Sequence, residues 1–256
     1  MKRIPIVFWL LMAFLLFGDA TGRRAVEAGD GRIGKQVFIP AGTYFVGDDG
    51  ETDNHPCRPR RFSAFSIDVH PVTQAQYARF IRESGYTPRG NFSAPETSEE
   101  ALLPAVNLTF DDAVAYARFQ GRRLPSEWEW EIAARSLKRE NLFATRGTPS
   151  LSNGNFFRFK QKNGITPVFS YPANGLGLYG MAGNVFEWTA SRYERRRLRG
   201  KHASRFRLMV LRGGAWTNLH QDARTTKRTP FPAERCLPWL GFRCVADAAA
   251  DTGDRS

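Results

Sequence analysis

Apolar residues set the first divisions of the chain. An uncharged apolar run over residues 4–18 follows Lys2 and Arg3 and ends at Gly18-Asp19-Ala20. That is the pattern of a secretory signal peptide over residues 1–20, and it is shorter than the roughly 20 residues a spanning helix needs. The alternative is an uncleaved N-terminal anchor. Residues 21–35 are small, charged and Gly-containing, and read as a flexible leader. Alternating apolar positions at Val37, Phe38 and Ile39, the Pro40-Ala41-Gly42-Thr43 turn and Tyr44, Phe45 and Val46 predict a hairpin. Phe62, Phe65, Ile67 and Val69 predict one further strand.

The period then becomes helical three times. Thr73 precedes Gln76, with Tyr77, Phe80 and Ile81 on one face and Gly85 as the stop. Thr109 precedes Asp112, with Ala113 and Tyr116 on one face and Gly121 at the end. Ser126 precedes Glu129, with Trp130, Ala133 and Ala134 on one face. A hydroxyl at the N-cap and an acceptor three residues later satisfy each other's amides. Beyond residue 138 helical periodicity fades into Gly- and Asn-rich loops. Short strand-like pieces remain at residues 166–169, 208–211 and 241–245, and the polar end over residues 248–256 reads as a disordered tail. The pattern predicts one α+β domain over residues 36–247.

Composition narrows this picture. In 256 residues, 42% hydrophobic and 13% aromatic exclude wholesale disorder, and 23 Gly with 15 Pro argue against a long-helix protein. Formal net charge is +12. Part of it is concentrated in Arg192, Arg195, Arg196, Arg197, Arg199, Lys201, Arg205 and Arg207, against Glu194 alone. In an exported chain this stretch points to an anionic surface or partner rather than nucleic acid. No transmembrane segment remains once the signal is removed. The histidines His55, His70, His202 and His220 have no metal-site spacing, and no phosphate loop, dinucleotide fingerprint or nucleophile elbow occurs. Of the three cysteines, Cys57 and Cys236 both lie in Pro- and Arg-flanked loops and are expected to pair.

Four segments mix Gly, aromatic and charged residues as tight loops packed under large rings do: Arg122-Arg123-Leu124-Pro125-Ser126-Glu127-Trp128-Glu129-Trp130-Glu131, Gly177-Leu178-Tyr179-Gly180-Met181-Ala182-Gly183-Asn184-Val185-Phe186-Glu187-Trp188, Leu211-Arg212-Gly213-Gly214-Ala215-Trp216 and Gly241-Phe242-Arg243-Cys244. In this order, with the stretches beginning at Pro71 and Pro104, they resemble the sulfatase-modifying-factor family, also called formylglycine-generating-enzyme-like. The resemblance implies a variant of the C-type lectin fold, with short helices around small twisted sheets and much irregular loop. It does not imply one activity. The founding members are copper-dependent oxidases that convert a sulfatase cysteine to formylglycine. Relatives mature siderophores, make ergothioneine with an added iron-binding domain, or bind partners.

The oxidase chemistry needs two thiolates after the Gly-Gly-aromatic motif, because soft Cu(I) is held by sulfur. Residues 216–228 contain no Cys, so copper is not expected. The family's calcium positions fall on Asn155, Phe156, Asn163 and Ile165, and on Gly183, Val185 and Glu187, with Gly180 where a side-chain ligand is expected. Calcium is therefore a weakened possibility, the alternative being that these side chains bond loop amides directly. The family often links the Cys of the Gly-Phe-Arg-Cys motif to the second helix, where Ala117 stands here, so Cys244 is expected to be buried and unreactive.

These readings lead to an exported accessory or maturation factor acting on a secreted protein or metabolite. Its candidate cleft is formed by Trp216, Asn218, His220, Asp222, Arg224 and Arg228, with His220 moving protons and the two arginines holding an anion. The alternative is a non-catalytic lectin-like module for an anionic ligand or partner protein.

Overall fold

Four capping side chains set the helices of the computed structural model, which describes residues 31–50, 56–145, 147–157, 164–194 and 206–248. Helix α1 (Gln74–Ser84) starts at Thr73, whose hydroxyl accepts from the Gln76 amide while the Gln76 side chain accepts from the Thr73 amide. It ends at Gly85, left-handed, with its N–H on the Ile81 carbonyl. Helix α3 (Phe110–Phe119) and helix α4 (Glu127–Ala134) carry the same reciprocal cap at Thr109/Asp112 and Ser126/Glu129. A fourth, helix α2 (Ser98–Ala101), has it at Thr97/Glu100 and was not anticipated.

The strands are β1 (Gln36–Ile39), β2 (Gly42–Val46), β3 (Arg58–Phe62), β4 (Phe65–Asp68), β5 (Phe186–Arg192), β6 (Leu208–Arg212), β7 (Thr229–Pro232), β8 (Leu240–Gly241) and β9 (Val245–Asp247). They form three small sheets, ordered β1-β4-β9, β2-β3 and β7-β6-β5-β8. The described residues from Gly34 onward form one compact unit. Among the described residues no helix is long and apolar enough to cross a membrane.

Several strand expectations are corrected. β1 and β2 do not form a hairpin: β1 pairs with β4, and β2 with β3. A two-residue hairpin turn of the favoured kind needs positive φ at its centre, whereas Pro40 is locked near −65°. The single strand expected over residues 62–69 is two, β3 and β4, separated by Ser63 and Ala64. Residues 166–169 form no strand; Pro167 has no N–H for a ladder, and its carbonyl instead accepts from Ser170. Residues 241–245 divide between β8 and β9.

Two apolar clusters fill the unit. One packs Tyr77, Phe80, Leu108, Tyr116, Trp188, Phe242 and Cys244; the other packs Ile39, Phe65, Ile67, Trp130, Met181 and Val245. Cys244 is buried beside Ala117 in the first, and burial pushes its thiol pKa well up. The expected Cys57–Cys236 disulfide is absent; both thiols are free. Cys57 leads into the β2–β3 sheet, with its amide on Asp49, whereas Cys236 follows β7 in another sheet.

Asp112 links the α3 cap to a distant loop. Its buried carboxylate accepts from the Arg89, Gly90 and Thr109 amides and the Tyr86 and Thr109 hydroxyls, at 2.7–2.9 Å. Burial pushes its pKa up, but the Arg89 amide and the Thr109 and Tyr86 donors outweigh that and hold it below the usual carboxylate value. Such a group contributes stability above the ordinary carboxylate range and loses it as pH falls through the folded value. Unfolding free energy should therefore be level from neutrality to about pH 5 and fall below about pH 4. Asp112→Ala, which strands five donors, should lower it by about 3 kcal/mol at neutral pH and flatten the acid limb. Urea titrations from pH 3 to 7 measure both effects.

Candidate functional site

Glu127, Glu131, Glu187, Arg212 and Arg243 of the four Gly-aromatic segments are buried and form ion pairs. Arg212 at the end of β6 is fully buried and reaches Glu127 and Glu131, one turn apart on α4, at 3.1 and 3.0 Å. Arg228 grips Glu127 through Nε and Nη2 at 2.6 and 3.0 Å. Glu131 also accepts from the Gly47 amide and lies 3.2 Å from Arg135 Nε. Arg212 donates further to the Thr225 carbonyl, fixing the far end of the 216–228 loop.

A second knot joins Glu187 of β5 to Arg243. Two bonds of 2.8 Å run from the guanidinium to the two carboxylate oxygens, and the Trp130 indole donates to the same Glu187 at 2.8 Å. Arg243 also donates to the carbonyls of Asp68 and Tyr179. Both members of the pair are fully buried.

This geometry tests the calcium positions. Both Glu187 oxygens already carry a guanidinium, and Gly180 offers no side chain where Arg243 Nη2 lies 3.8 Å from its ideal Cβ position. A divalent ion placed there would meet a buried cation, so the residues present at this position do not fit calcium. At the other position the Asn155 amide donates to the Gly164 carbonyl and to Asn184 Oδ1, which also accepts from the Thr166 amide. Phe156 lies in the core, Ile165 is partly buried, and Asn163 lies outside the described residues. Side-chain amides close these loops directly, and no carboxylate is among them. Gly183 and Val185 take part through the backbone: Gly183 bridges Asn155 and accepts from the Val185 amide. At φ +76°, with Asn155 O 2.4 Å from an added Cβ, only glycine fits at 183.

The six candidate cleft residues are brought onto one loop but not into one cleft. Trp216 is partly buried, its backbone amide on Asn184 O and its indole N–H buried without a partner among the described residues. Asn218 closes its own turn by accepting from the Ala215 amide at 3.1 Å. His220 opens a short 3-10 turn (His220–Ala223) at the surface, its ring edge-on to Phe156 at 6.4 Å. Asp222 lies in the same turn, its amide on Leu219 O, and no hydrogen bond joins the two side chains. Arg224 pairs with Asp48 at 2.8 Å; burial pushes the Asp48 pKa up, but the Gly50 amide and Arg224 hold it below the usual value. Arg228 is buried against Glu127 and packs on the Tyr193 ring. A small surface pocket is instead lined by Asn153, Tyr171, Leu178, Met181 and Asn184 among others, and by none of the six.

Sequence reading missed two exposed apolar residues beside this loop. Phe157 is 41% exposed and Leu219 49%, and the Phe157 amide donates to the Asn218 carbonyl, so the two segments lie side by side. The signal was available in the Phe156-Phe157 pair, of which a loop buries only one. Of the basic stretch, residues 195–205 lie outside the described residues; Arg192 is exposed, and Arg207 is engaged by Asp111 at 2.6 Å.

Short capped helices, three small sheets and long loops closed by buried ion pairs define the C-type-lectin-like α+β fold of formylglycine-generating enzymes. PvdO from Pseudomonas aeruginosa superposes with a TM-score of 0.67 over 83% of this chain and 94% of that one, at 24% identity. CarF superposes with a TM-score of 0.67 over 84% and 98%, at 20% identity. The chain belongs to the sulfatase-modifying factor enzyme 1-like family, whose model matches residues 23–248. The inactive C-alpha-formylglycine-generating enzyme 2 of Mus musculus is 28% identical, covering 90% of this chain and 91% of that protein. The serine/threonine-protein kinase pkn1 of Chlamydia caviae is 32% identical over 82% of this chain, which spans 38% of that protein's length.

Proposed function

We propose that this chain is an exported accessory or maturation factor that engages a secreted protein or metabolite through its 216–228 loop, without copper-dependent oxidation. One observation carries the reading. The loop has no cysteine, its arginines are tied to Asp48 and Glu127, and what it offers outward is Leu219 beside Phe157, with His220 at the rim. Apolar side chains exposed next to a rigid loop favour contact with a partner, whereas arginines already paired are poor clamps for an anionic substrate. The non-catalytic, lectin-like form of the reading is therefore favoured over an enzymatic one. Similarity to a relative described as inactive supports it. Export rests on the signal-type segment over residues 1–20, with residues 36–247 as the working domain.

The test is direct. Purified protein loaded with Cu(I) and incubated with a sulfatase-derived cysteine peptide should form no aldehyde by mass spectrometry and retain no stoichiometric copper. Aldehyde formation, lost on Cys236→Ser, would overturn the proposal.

A further inference from the structure

Arginine is used in two ways in this molecule. Arg79, Arg89, Arg122, Arg123, Arg135, Arg207, Arg212, Arg224, Arg228 and Arg243 each meet a carboxylate within 4.0 Å. The exposed cations on and beside β3 do not. Among the described residues, Arg58, Arg60 and Arg61, with Lys138 and Arg139 after α4, have no ion-pair partner. The neighbouring Glu140 is exposed and pairs with none of them.

Two of these cations, Arg61 and Arg139, are built into one surface. Among the described residues β3 pairs only with β2, in a register that sets Phe45 opposite Pro59 and Thr43 opposite Arg61. Side chains alternate across a strand, so Phe45, Pro59, Thr43 and Arg61 share the face turned away from Val46, which lies in the core. Phe45 is 40% exposed, and the Arg139 guanidinium stacks over its ring at 4.7 Å. Arg60 is held in the same way over Trp128 at 4.8 Å. Stacking limits the motion of a guanidinium while leaving its N–H edge free for an oxyanion.

We propose that the outward face of β2–β3 is a docking surface for an anionic lipid bilayer. The guanidiniums of Arg61 and Arg139 sit on headgroup phosphates, with the Phe45 ring at the interface. Unpaired cations around an exposed aromatic ring match a surface that is charged outside and apolar just beneath. A soluble polyanion would use the arginines but leave Phe45 in water. The surface shares no residue with the 216–228 loop or with the basic stretch over residues 192–207.

Co-sedimentation of the full chain with vesicles tests this. Neutral phosphatidylcholine vesicles report whatever the N-terminal apolar run contributes; vesicles containing phosphatidylglycerol add the contribution of the patch. Tighter binding to the anionic vesicles is expected, with the excess lost as salt is raised. Replacing Arg61 and Arg139 by Gln should remove on the order of 30-fold of that excess, at the strength usual for a cation near an anionic leaflet. Since neither pairs with a carboxylate among the described residues, the melting temperature should hardly move. Phe45→Ser should weaken binding without changing its salt dependence. A control with Arg82 and Arg118 replaced by Gln alters net charge equally and should keep the binding. Equal binding to both vesicles, equal loss in the control, or full competition by inorganic polyphosphate with no effect of Phe45→Ser would overturn the proposal.

Discussion

Arg243→Met is expected to cost about 3–5 kcal/mol of folding stability, because it leaves the buried Glu187 carboxylate without its cation. The guanidinium spans three segments. It reaches both oxygens of Glu187 on β5, the Asp68 carbonyl at the end of β4, and the Tyr179 carbonyl in the loop before Gly180. Trp130 Nε1 donates to the same carboxylate, so the indole keeps a partner but the charge does not. Arg243→Lys should recover only part of the loss, since an ammonium cannot form the two-bond fork. Adding Glu187→Gln to Arg243→Met should restore a substantial fraction, because the penalty lies in the stranded charge rather than in the lost attraction. Urea midpoints at unchanged slope measure the three variants. A loss under 1 kcal/mol for Arg243→Met would mean that water reaches the site. Stability that rises on added calcium in the same titration would contradict the misfit described above.

Arg212→Met should be comparably damaging, by about 3 kcal/mol or more, with an additional local effect. Two carboxylates depend on this side chain, but Glu127 keeps Arg228 and Glu131 keeps the Gly47 amide and Arg135. The distinguishing consequence concerns the loop. Arg212 Nη1 donates to the Thr225 carbonyl at 2.8 Å, and without it residues 225–228 lose an internal tether. Amide hydrogen exchange should therefore accelerate at Thr225 and Lys227 well before global unfolding, while the α1 amides stay protected. Uniform acceleration across the domain would assign Arg212 to global stability alone.

What could be read from the chain follows from how local each determinant is. The N-caps at Thr73, Thr109 and Ser126 were legible because donor, acceptor and apolar face lie within a few residues. Thr97 and Glu100 have the same spacing but lack the apolar face, so the short α2 escaped. Strand partners were not legible. Phe65 pairs with Ile39 and Ile67 with Val245, and nothing local to these residues states the partner. Tight loops were expected at the Gly-aromatic motifs; residues 177–185 and 213–216 lie outside helices and strands, but residues 127–131 lie on α4, and which arginine meets which glutamate needed the fold. The candidate cleft shows the same limit. Six chemically capable side chains within residues 216–228 looked like a site, but Arg224 and Arg228 are claimed by Asp48 and Glu127, far away in sequence. The family was legible because its motifs keep their order along the chain.

The buried ion pairs also bear on how the chain reaches its native state. Glu127 and Arg228 are 101 residues apart, Glu131 and Arg212 81, and Glu187 and Arg243 56. Each charge is costly to desolvate until its partner arrives, and the partners arrive only when distant loops have closed. The short capped helices form early but are too small to persist alone. Such a chain should fold over milliseconds to seconds rather than microseconds, passing the barrier with the arginines still hydrated. Substitutions at these pairs should then speed unfolding far more than they slow refolding, making the knots determinants of how long the folded molecule lasts.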